Sequence, residues 1–357
     1  MNQSVYVERI RRARRAVVEK GSGGVVIGTG PELAFFTGSW AQSHERLTAL
    51  VIGPDGAPRL VAPLTDVDSF RVDGVELVGW RDGDDPYELV VRALGDGPVG
   101  LGTSLTADHV LRLQRLVPAS VLAADLLADV LMVKEPGEIA QLRRAAEAID
   151  RVHQRVPELL RVGRTENEVA HDIAELIRAD HESVDFIIVG SGPNGANPHH
   201  SHSQRVLAKG DPVVVDLGGS LDTGYHSDCT RTYVVGAEPA PDVAAAYEVL
   251  ARAQQAAFEA VRPGISAGEV DAAAREVIGE AGYGEFFTHR TGHGIGLALH
   301  ERPFIAPGES TELREGMAFS IEPGIYIPGC WGMRLEDIVV VDAEGAVRLN
   351  RVSRTLR

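Results

Sequence analysis

Residues 213–232, VVVDLGGSLDTGYHSDCTRT, read as two short runs of β-branched and small residues on either side of a turn rich in Gly, Asp and Ser. Each run carries one acid, Asp216 and Asp228, twelve residues apart. That spacing suits an antiparallel pair of strands presenting both acids to one face, because strand side chains alternate with a period of two. Residues 320–337, SIEPGIYIPGCWGMRLED, repeat the design with Glu322 and Glu336, fourteen residues apart. Between the two segments, TGHGIGL holds His293. An isolated carboxylate on an apolar strand is costly. Four of them with one imidazole are what two adjacent divalent cations sharing a hydroxide require. Any single one of these acids would ordinarily be a turn residue or half of an ion pair; the ordered set carries the metal reading.

A faint duplication frames the same region. RVGRTENEV at 161–169 and RPGISAGEV at 262–270 share R-x-G-x-[ST]-x-x-E-V, 101 residues apart. Each holds a capping box, Thr165 with Glu168 and Ser266 with Glu269, that predicts a helix start. The same offset carries His199 onto His300, and the pair Asp216/Asp228 is followed by Glu322/Glu336 at offsets of 106 and 108. Two similar halves facing each other across a pseudo-two-fold would bring both acid pairs into one cleft.

From about Pro198 to Asp337 these motifs resemble the pita-bread metallopeptidase family, which includes the Xaa-Pro dipeptidases (prolidases), Xaa-Pro aminopeptidases and methionine aminopeptidases. A looser resemblance covers the whole chain. It implies an α/β fold of the α+β kind: a small creatinase-like N-terminal domain over residues 1–128, then a pseudo-two-fold pita-bread catalytic domain over 129–357. It also implies roles. Asp216 would serve one ion alone, His293 and Glu322 the other, and Asp228 and Glu336 would bridge both. Glu322 would accept the proton of the attacking water, while His199 and His300, in the PH and GIGLxxH motifs, would contact the substrate and the developing oxyanion.

Other residues are read from position. Arg334, two before Glu336, is expected to orient that bridging carboxylate. Tyr225 is a weaker candidate for orienting Asp228. In the cluster PHHSHS, His199 faces the site in preference to His200 and His202; His226 reads as a supporting or solvent-facing residue, and His289 as strand filler or support.

A chain of 357 residues, 44% hydrophobic and 24% charged, is long enough for two domains with a core each. Strand-like runs VVIG, LTALVIG, PRLVAP, VELVGW, VGLG and SVLAAD alternate with helical segments up to about residue 125, which suggests a small α/β domain. The amphipathic stretch after it, with Pro136 at a first helical turn, opens the second domain. Two cysteines, Cys229 and Cys330, exclude a disulfide framework and a Cys-rich zinc module. A net charge of −16 disfavours nucleic acid and anionic membranes, and Arg9, Arg11, Arg12, Arg14 and Arg15 read as one solvated helix face. The N-terminus lacks the apolar run of a signal peptide, so a cytoplasmic location is expected.

Competing chemistries fail on specific residues. VVIGTGPEL has Pro31 and Leu33 where a dinucleotide loop needs other residues. VGSGPNG has Val189 at the first glycine of a nucleophile elbow. His300-Glu301 begins an HExxH motif, but Phe304 stands at the second histidine and Pro303 breaks the helix.

The resemblance leaves the substrate open between an Xaa-Pro dipeptidase, favoured by the short chain, and an Xaa-Pro aminopeptidase acting on longer peptides. Methionine aminopeptidases generally lack a domain like residues 5–125. Arg302 and Arg314 are candidate donors for a free substrate carboxylate, whereas Phe304 occupies an aromatic place common in aminopeptidases. More remote readings are a metal-retaining lyase and a creatinase-like or binding-module member without metal. The expected cofactor is two divalent ions, Mn²⁺ ahead of Co²⁺, Fe²⁺ or Zn²⁺. The expected partners are short proline-containing peptides and, because the resemblance sets Trp40 and SWAQSHERL where the family's N-terminal domain reaches toward a neighbouring subunit, a second copy of the chain in a homodimer.

Overall fold

The computed structural model describes residues 3–43, 45–117 and 119–356, so His44 in the SWAQSHERL loop lies outside the described residues. The chain divides into two compact units, Met1–Leu131 and Met132–Arg357.

The first unit runs α1 (Gln3–Glu19), β1 (Gly24–Gly28), α2 (Pro31–Thr37), β2 (Ala49–Ile52), β3 (Arg59–Pro63), β4 (Glu76–Trp80), α3 (Pro86–Val91), β5 (Val99–Leu101), α4 (Ala107–Leu113), β6 (Ser120–Leu122), α5 (Ala123–Leu126) and α6 (Ala128–Leu131). Its strands form one sheet in the order β4-β3-β2-β1-β5-β6, antiparallel in the middle and parallel at both flanks. Each strand-like run of the sequence contributes one strand. Val26, Val51, Val61, Val99 and Leu101 pack with Leu113 and Trp80 as its core. Burial of each aliphatic side chain contributes about 1.5–3 kcal/mol.

One expectation for this unit is corrected. Arg9 is not on the solvated face of α1: it is fully buried, its guanidinium lies 4.1 Å from the Phe35 ring centroid, and it donates to Phe35 O at 2.9 Å. An aromatic face and a carbonyl replace water around its charge. Trp40 is 44% exposed.

The second unit repeats one plan. Helices α7 (Pro136–Leu159) and α8 (Glu166–Asp180) precede β7 (Ser183–Ser191), β8 (Pro212–Ser220) and β9 (His226–Val234), an antiparallel sheet. Helices α9 (Pro241–Ala260) and α10 (Ala267–Glu280) then precede β10 (Gly292–Gly294), β11 (Glu301–Ile305), β12 (Ala318–Ile321), β13 (Gly324–Ile327), β14 (Trp331–Arg334), β15 (Asp337–Val341) and β16 (Ala346–Arg348). Here the sheet order is β11-β10-β12-β15-β16, with β13-β14 a separate hairpin.

The repeat is physical as well as sequential. Both capping boxes form: Thr165 and Glu168 close on each other at the start of α8, and Ser266 and Glu269 do so at α10. Thr165 bridges to Val206 and Ser266 to Glu312, so each helix start is pinned to its own half. Pro136 sits in the first turn of α7, behind a further capping box from Glu135 and Glu138.

The two halves meet closely. A Cβ on Gly332 of β14 would lie 1.9 Å from Gly195 O, in the short 3₁₀ turn Gly192–Ala196 of the first half. The C-terminal segment then crosses back. Asp150 of α7 accepts from the backbone of Arg351 (2.5 Å) and Val352 (3.1 Å), and Arg231 of β9 donates to Val352 O, Ser353 O and Asp337 Oδ1. Among the described residues no helix is long and apolar enough to cross a membrane.

Candidate active site

On the β8–β9 ladder, Asp216 pairs with Thr230 and Gly218 with Asp228. Neighbouring pairs of the same parity share a face, so both acids and Thr230 point one way while Val215 and Leu217 point into the core of the first half. The hairpin expected from residues 213–232 therefore forms and places its acids together.

The other pair is built differently from the plain hairpin the sequence suggested. Strands β12 and β15 end their ladder at Ile321–Asp337, and β13 and β14 start a separate one at Gly324–Arg334. Glu322 and Glu336 occupy the break between the two ladders. Pro323 has no N–H to continue the pairing. The amides of the acids go elsewhere: Glu322 N donates to Thr291 O (2.7 Å) and Glu336 N to Thr230 O (3.1 Å), which ties the second acid to β9.

His293 sits on the short β10, where the register to β11 shifts. Its Nδ1–H donates to Gly294 O at 3.1 Å, which turns Nε2 toward the acids. That nitrogen lies 3.2 Å from Glu322 Oε1 and 3.6 Å from Asp228 Oδ2. Ser320 Oγ receives the His293 amide and donates to Glu322 Oε1, both at 3.0 Å.

Donor atoms of Asp216, Asp228 and Glu336 lie within 4.8 Å of one another, as do those of His293, Glu322 and Glu336 and those of Asp228, His293 and His300. Asp228, His293 and Glu336 belong to two sets each. Apart from the partly exposed Glu322, the five residues of the sequence pattern are buried. Two buried carboxylate oxygens, Asp216 Oδ1 and Glu336 Oε1, have no hydrogen-bond partner. Orphaned anionic oxygens converging on one space fit divalent cations.

The electrostatics agree. Burial pushes the Asp228 carboxyl well above its ordinary range, and the charges of Asp216 and Glu322 push it further. Burial does the same to Glu336, reinforced by Asp228. Asp216 is raised by burial although the Arg334 charge opposes it. Glu322 differs: burial pushes it up, but the hydrogen bond and charge of His293 outweigh that and hold it at about 2. Three acids that resist ionisation are stabilised as anions by added positive charge.

Arg334 provides one such charge, though not where the sequence placed it. Its Nη2 donates to Asp216 Oδ2 at 2.6 Å rather than to Glu336, whose Oε2 instead accepts from Thr230 Oγ1 at 2.7 Å. Arg334 reaches Glu336 only through Thr230, to whose Oγ1 its Nε donates at 3.2 Å. Its Nη1 donates to Tyr326 Oη (2.8 Å) and Pro198 O (3.2 Å), and Tyr326 Oη in turn meets His289 Nε2 at 2.9 Å. Tyr225 does not orient Asp228 either: it is buried and donates to Glu138 Oε1.

These groups open on a cleft of about 910 Å³. His199, His289, Arg290 and His300 line it, with Phe186, Ile187, Ile188 and Leu299 as apolar wall. The rings of His300 and His293 are 4.0 Å apart. Burial, then the charge of His293, lowers the His300 imidazole to about 4. His200 turns away to Glu166, and His226 binds Asp185 and Leu297 O. A groove of equal volume beside α9 and α10 contains none of the five pattern residues.

Sequence reasoning missed Arg290. It lines the cleft with its guanidinium 4.6 Å from the Phe304 ring centroid, and among the described residues no carboxylate pairs with it. Neither Arg302 nor Arg314 lines the cleft. Its position three residues before His293, in THRTGHG, was the available signal.

Both units of the chain match known protein families. Residues 140–343 match Metallopeptidase family M24, and residues 9–131 match the Creatinase/Prolidase N-terminal domain. The chain belongs to metallopeptidase family M24, has its two-part pita-bread architecture and is a metal-dependent peptidase. Among its relatives, the probable dipeptidase PepE of Mycobacterium tuberculosis is 53% identical over 99% of this chain and 96% of its own length. The Xaa-Pro dipeptidase of Lactobacillus delbrueckii subsp. lactis is 37% identical over 90% of this chain and 91% of its own. The crystal structure of dipeptidase PepE from Mycobacterium ulcerans, 50% identical, superposes with a TM-score of 0.97 over 100% of this chain and 98% of that one.

Proposed function

We propose that this chain is an Xaa-Pro dipeptidase working with two divalent cations, Mn²⁺ before Co²⁺, Fe²⁺ or Zn²⁺. The observation that supports it is the convergence of four acids and one imidazole on orphaned, buried carboxylate oxygens at the floor of a cleft whose side carries an unpaired arginine. Asp216 would hold one ion, His293 and Glu322 the other, and Asp228 and Glu336 both. Bound ions supply an acidic water and a Lewis-acid contact for the scissile carbonyl.

The chain's own residues do the rest. Glu322 Oε1 accepts from Ser320 Oγ, so Oε2 is the oxygen left to take up a proton. His199 and His300 present imidazole N–H groups to the substrate carbonyl and the developing oxyanion. Arg334 holds Asp216 in place, and Thr230 holds Glu336. Arg290 receives the free C-terminal carboxylate of a dipeptide, while Phe186, Ile187 and Ile188 exclude water from the side chains.

Phe304, the aromatic beneath Arg290, favours the alternative of an Xaa-Pro aminopeptidase. Turnover of Ala-Pro and Ala-Pro-Ala by chelator-stripped protein resupplied with Mn²⁺ decides between them. Metal-dependent cleavage of Ala-Pro alone is the expected result; preference for the tripeptide means the aminopeptidase, and no cleavage of either removes the peptidase substrate assignment. A cytoplasmic homodimer completes the proposal, and light scattering of the purified protein tests the dimer.

A further inference from the structure

The Glu166 carboxylate is fully buried at the first position of α8, remote in sequence from every residue of the metal pattern. It accepts six hydrogen bonds. Oε1 takes Ser191 N (2.8 Å), Ser191 Oγ (2.6 Å) and Asn194 Nδ2 (3.1 Å); Oε2 takes Asn194 Nδ2 (3.1 Å), His200 Nε2 (2.8 Å) and Ser203 Oγ (2.7 Å). Burial pushes this carboxyl up, but the Ser191, His200 and Ser203 bonds outweigh it and hold it below its ordinary range.

The donors are not scattered. Ser191 and Asn194 lie where β7 gives way to the 3₁₀ turn; His200 closes the Asn197–His200 turn that follows, and Ser203 lies just beyond it. His199 stands between Pro198, whose carbonyl accepts from Arg334, and His200, which is drawn inward to Glu166. With both neighbours held, the backbone of His199 is fixed where its exposed side chain lines the cleft.

The second half holds a comparable carboxylate, about one turn further along its helix than Ala267, where the 101-residue offset would place it. Asp271 of α10 accepts from Thr291 N (3.1 Å) and Thr291 Oγ1 (2.8 Å), and pairs bidentately with Arg275, which donates onward to His289 O. There an arginine fills the place that His200 and Ser203 fill around Glu166. A buried helix carboxylate with only a structural task could be satisfied the same way; the first half spends its bonds on the His199 turn.

We infer that Glu166 is a positioning residue, which through His200 and Ser203 sets the orientation of His199 toward the substrate. This rests on the assignment of His199 to the substrate side of the reaction, and the test separates the two. In the Mn²⁺-loaded full-length enzyme, Glu166→Gln and the milder His200→Ala are expected to lower kcat about tenfold, by misplacing one contact group, with KM within about twofold. His200→Asn, which keeps a donor, recovers most of the loss. In the double variant with His199→Ala neither substitution costs more than His199→Ala alone.

The second readout needs no turnover. In metal-free protein the His199 imidazole resonances, assigned by their loss in His199→Ala, should shift in Glu166→Gln and His200→Ala while the thermal midpoint of His200→Ala stays near wild type. Unmoved His199 resonances in a folded His200→Ala overturn the inference, as does an additive loss in the double variants. Wild-type turnover by His199→Ala would sink the catalytic reading of His199 instead, with the resonances still deciding whether Glu166 positions it.

Discussion

Each acid of the site is recognisable at the scale of one residue because its strand context is local. Val213 to Val215 precede Asp216, and Ile321 precedes Glu322, so a charge amid apolar residues is visible without the fold. Partners from elsewhere in the chain are not. Thr230 on Glu336, Tyr326 on Arg334 and Arg290 over Phe304 join positions whose separation in sequence says nothing of their contact. Arg334 shows the limit most clearly, since its type and neighbourhood were legible but its carboxylate, 118 positions away, was not. Arg290 carries the prediction at this scale. Arg290→Ala should raise KM for Ala-Pro about tenfold or more, the loss of one charge-assisted contact, and leave KM for Ala-Pro amide nearly unchanged. Equal effects on the acid and the amide would place the substrate carboxylate elsewhere.

At the scale of elements, period-two runs and capping boxes disclosed most strands and the starts of α8 and α10, because those signals lie within a few residues. The break between β12–β15 and β13–β14 did not show, although Pro323 marks it. A proline ends one strand's pairing, but whether its partner strand also breaks depends on what the partner meets. Here β14 meets the Gly192–Ala196 turn, with room for hydrogen only at Gly332. Gly332→Ala should cost about 1–3 kcal/mol of stability through overpacking and displace Arg334 two residues on, lowering activity beyond the stability loss. Denaturant unfolding and kcat measured together check this; an alanine variant matching wild type in both would mean that the two segments do not touch so closely.

For the whole molecule, acid stability should depend on His153 of α7. Its Nε2–H donates to Cys229 O (2.9 Å), and Tyr233 Oη lies 3.2 Å from the carbonyl oxygen of His153 and 3.0 Å from Nδ1 of its imidazole. Burial, then the charge of Arg231, lowers it to about 3 from 6.5. The unfolded chain takes up this proton below about pH 6.5 and the folded protein only near pH 3, so stability is lost as pH falls through that window, by up to about 1.4 kcal/mol per unit. Unfolding of metal-free wild type and His153→Gln between pH 7 and 5 should show the shallower slope in the variant; parallel slopes would exclude His153 as the source. The doubled plan of the catalytic unit has a consequence in time. Two helices followed by antiparallel strands, twice over, are what a gene duplicated and fused in tandem leaves behind, each copy inheriting a pair of acids and a turn-borne histidine. Position 192, 101 residues before His293, holds Gly192, so the copies have parted where the nitrogen donor stands. A symmetric ancestor would have had to improve both sides of its cleft by the same mutation; the fused descendant can change one and keep the other.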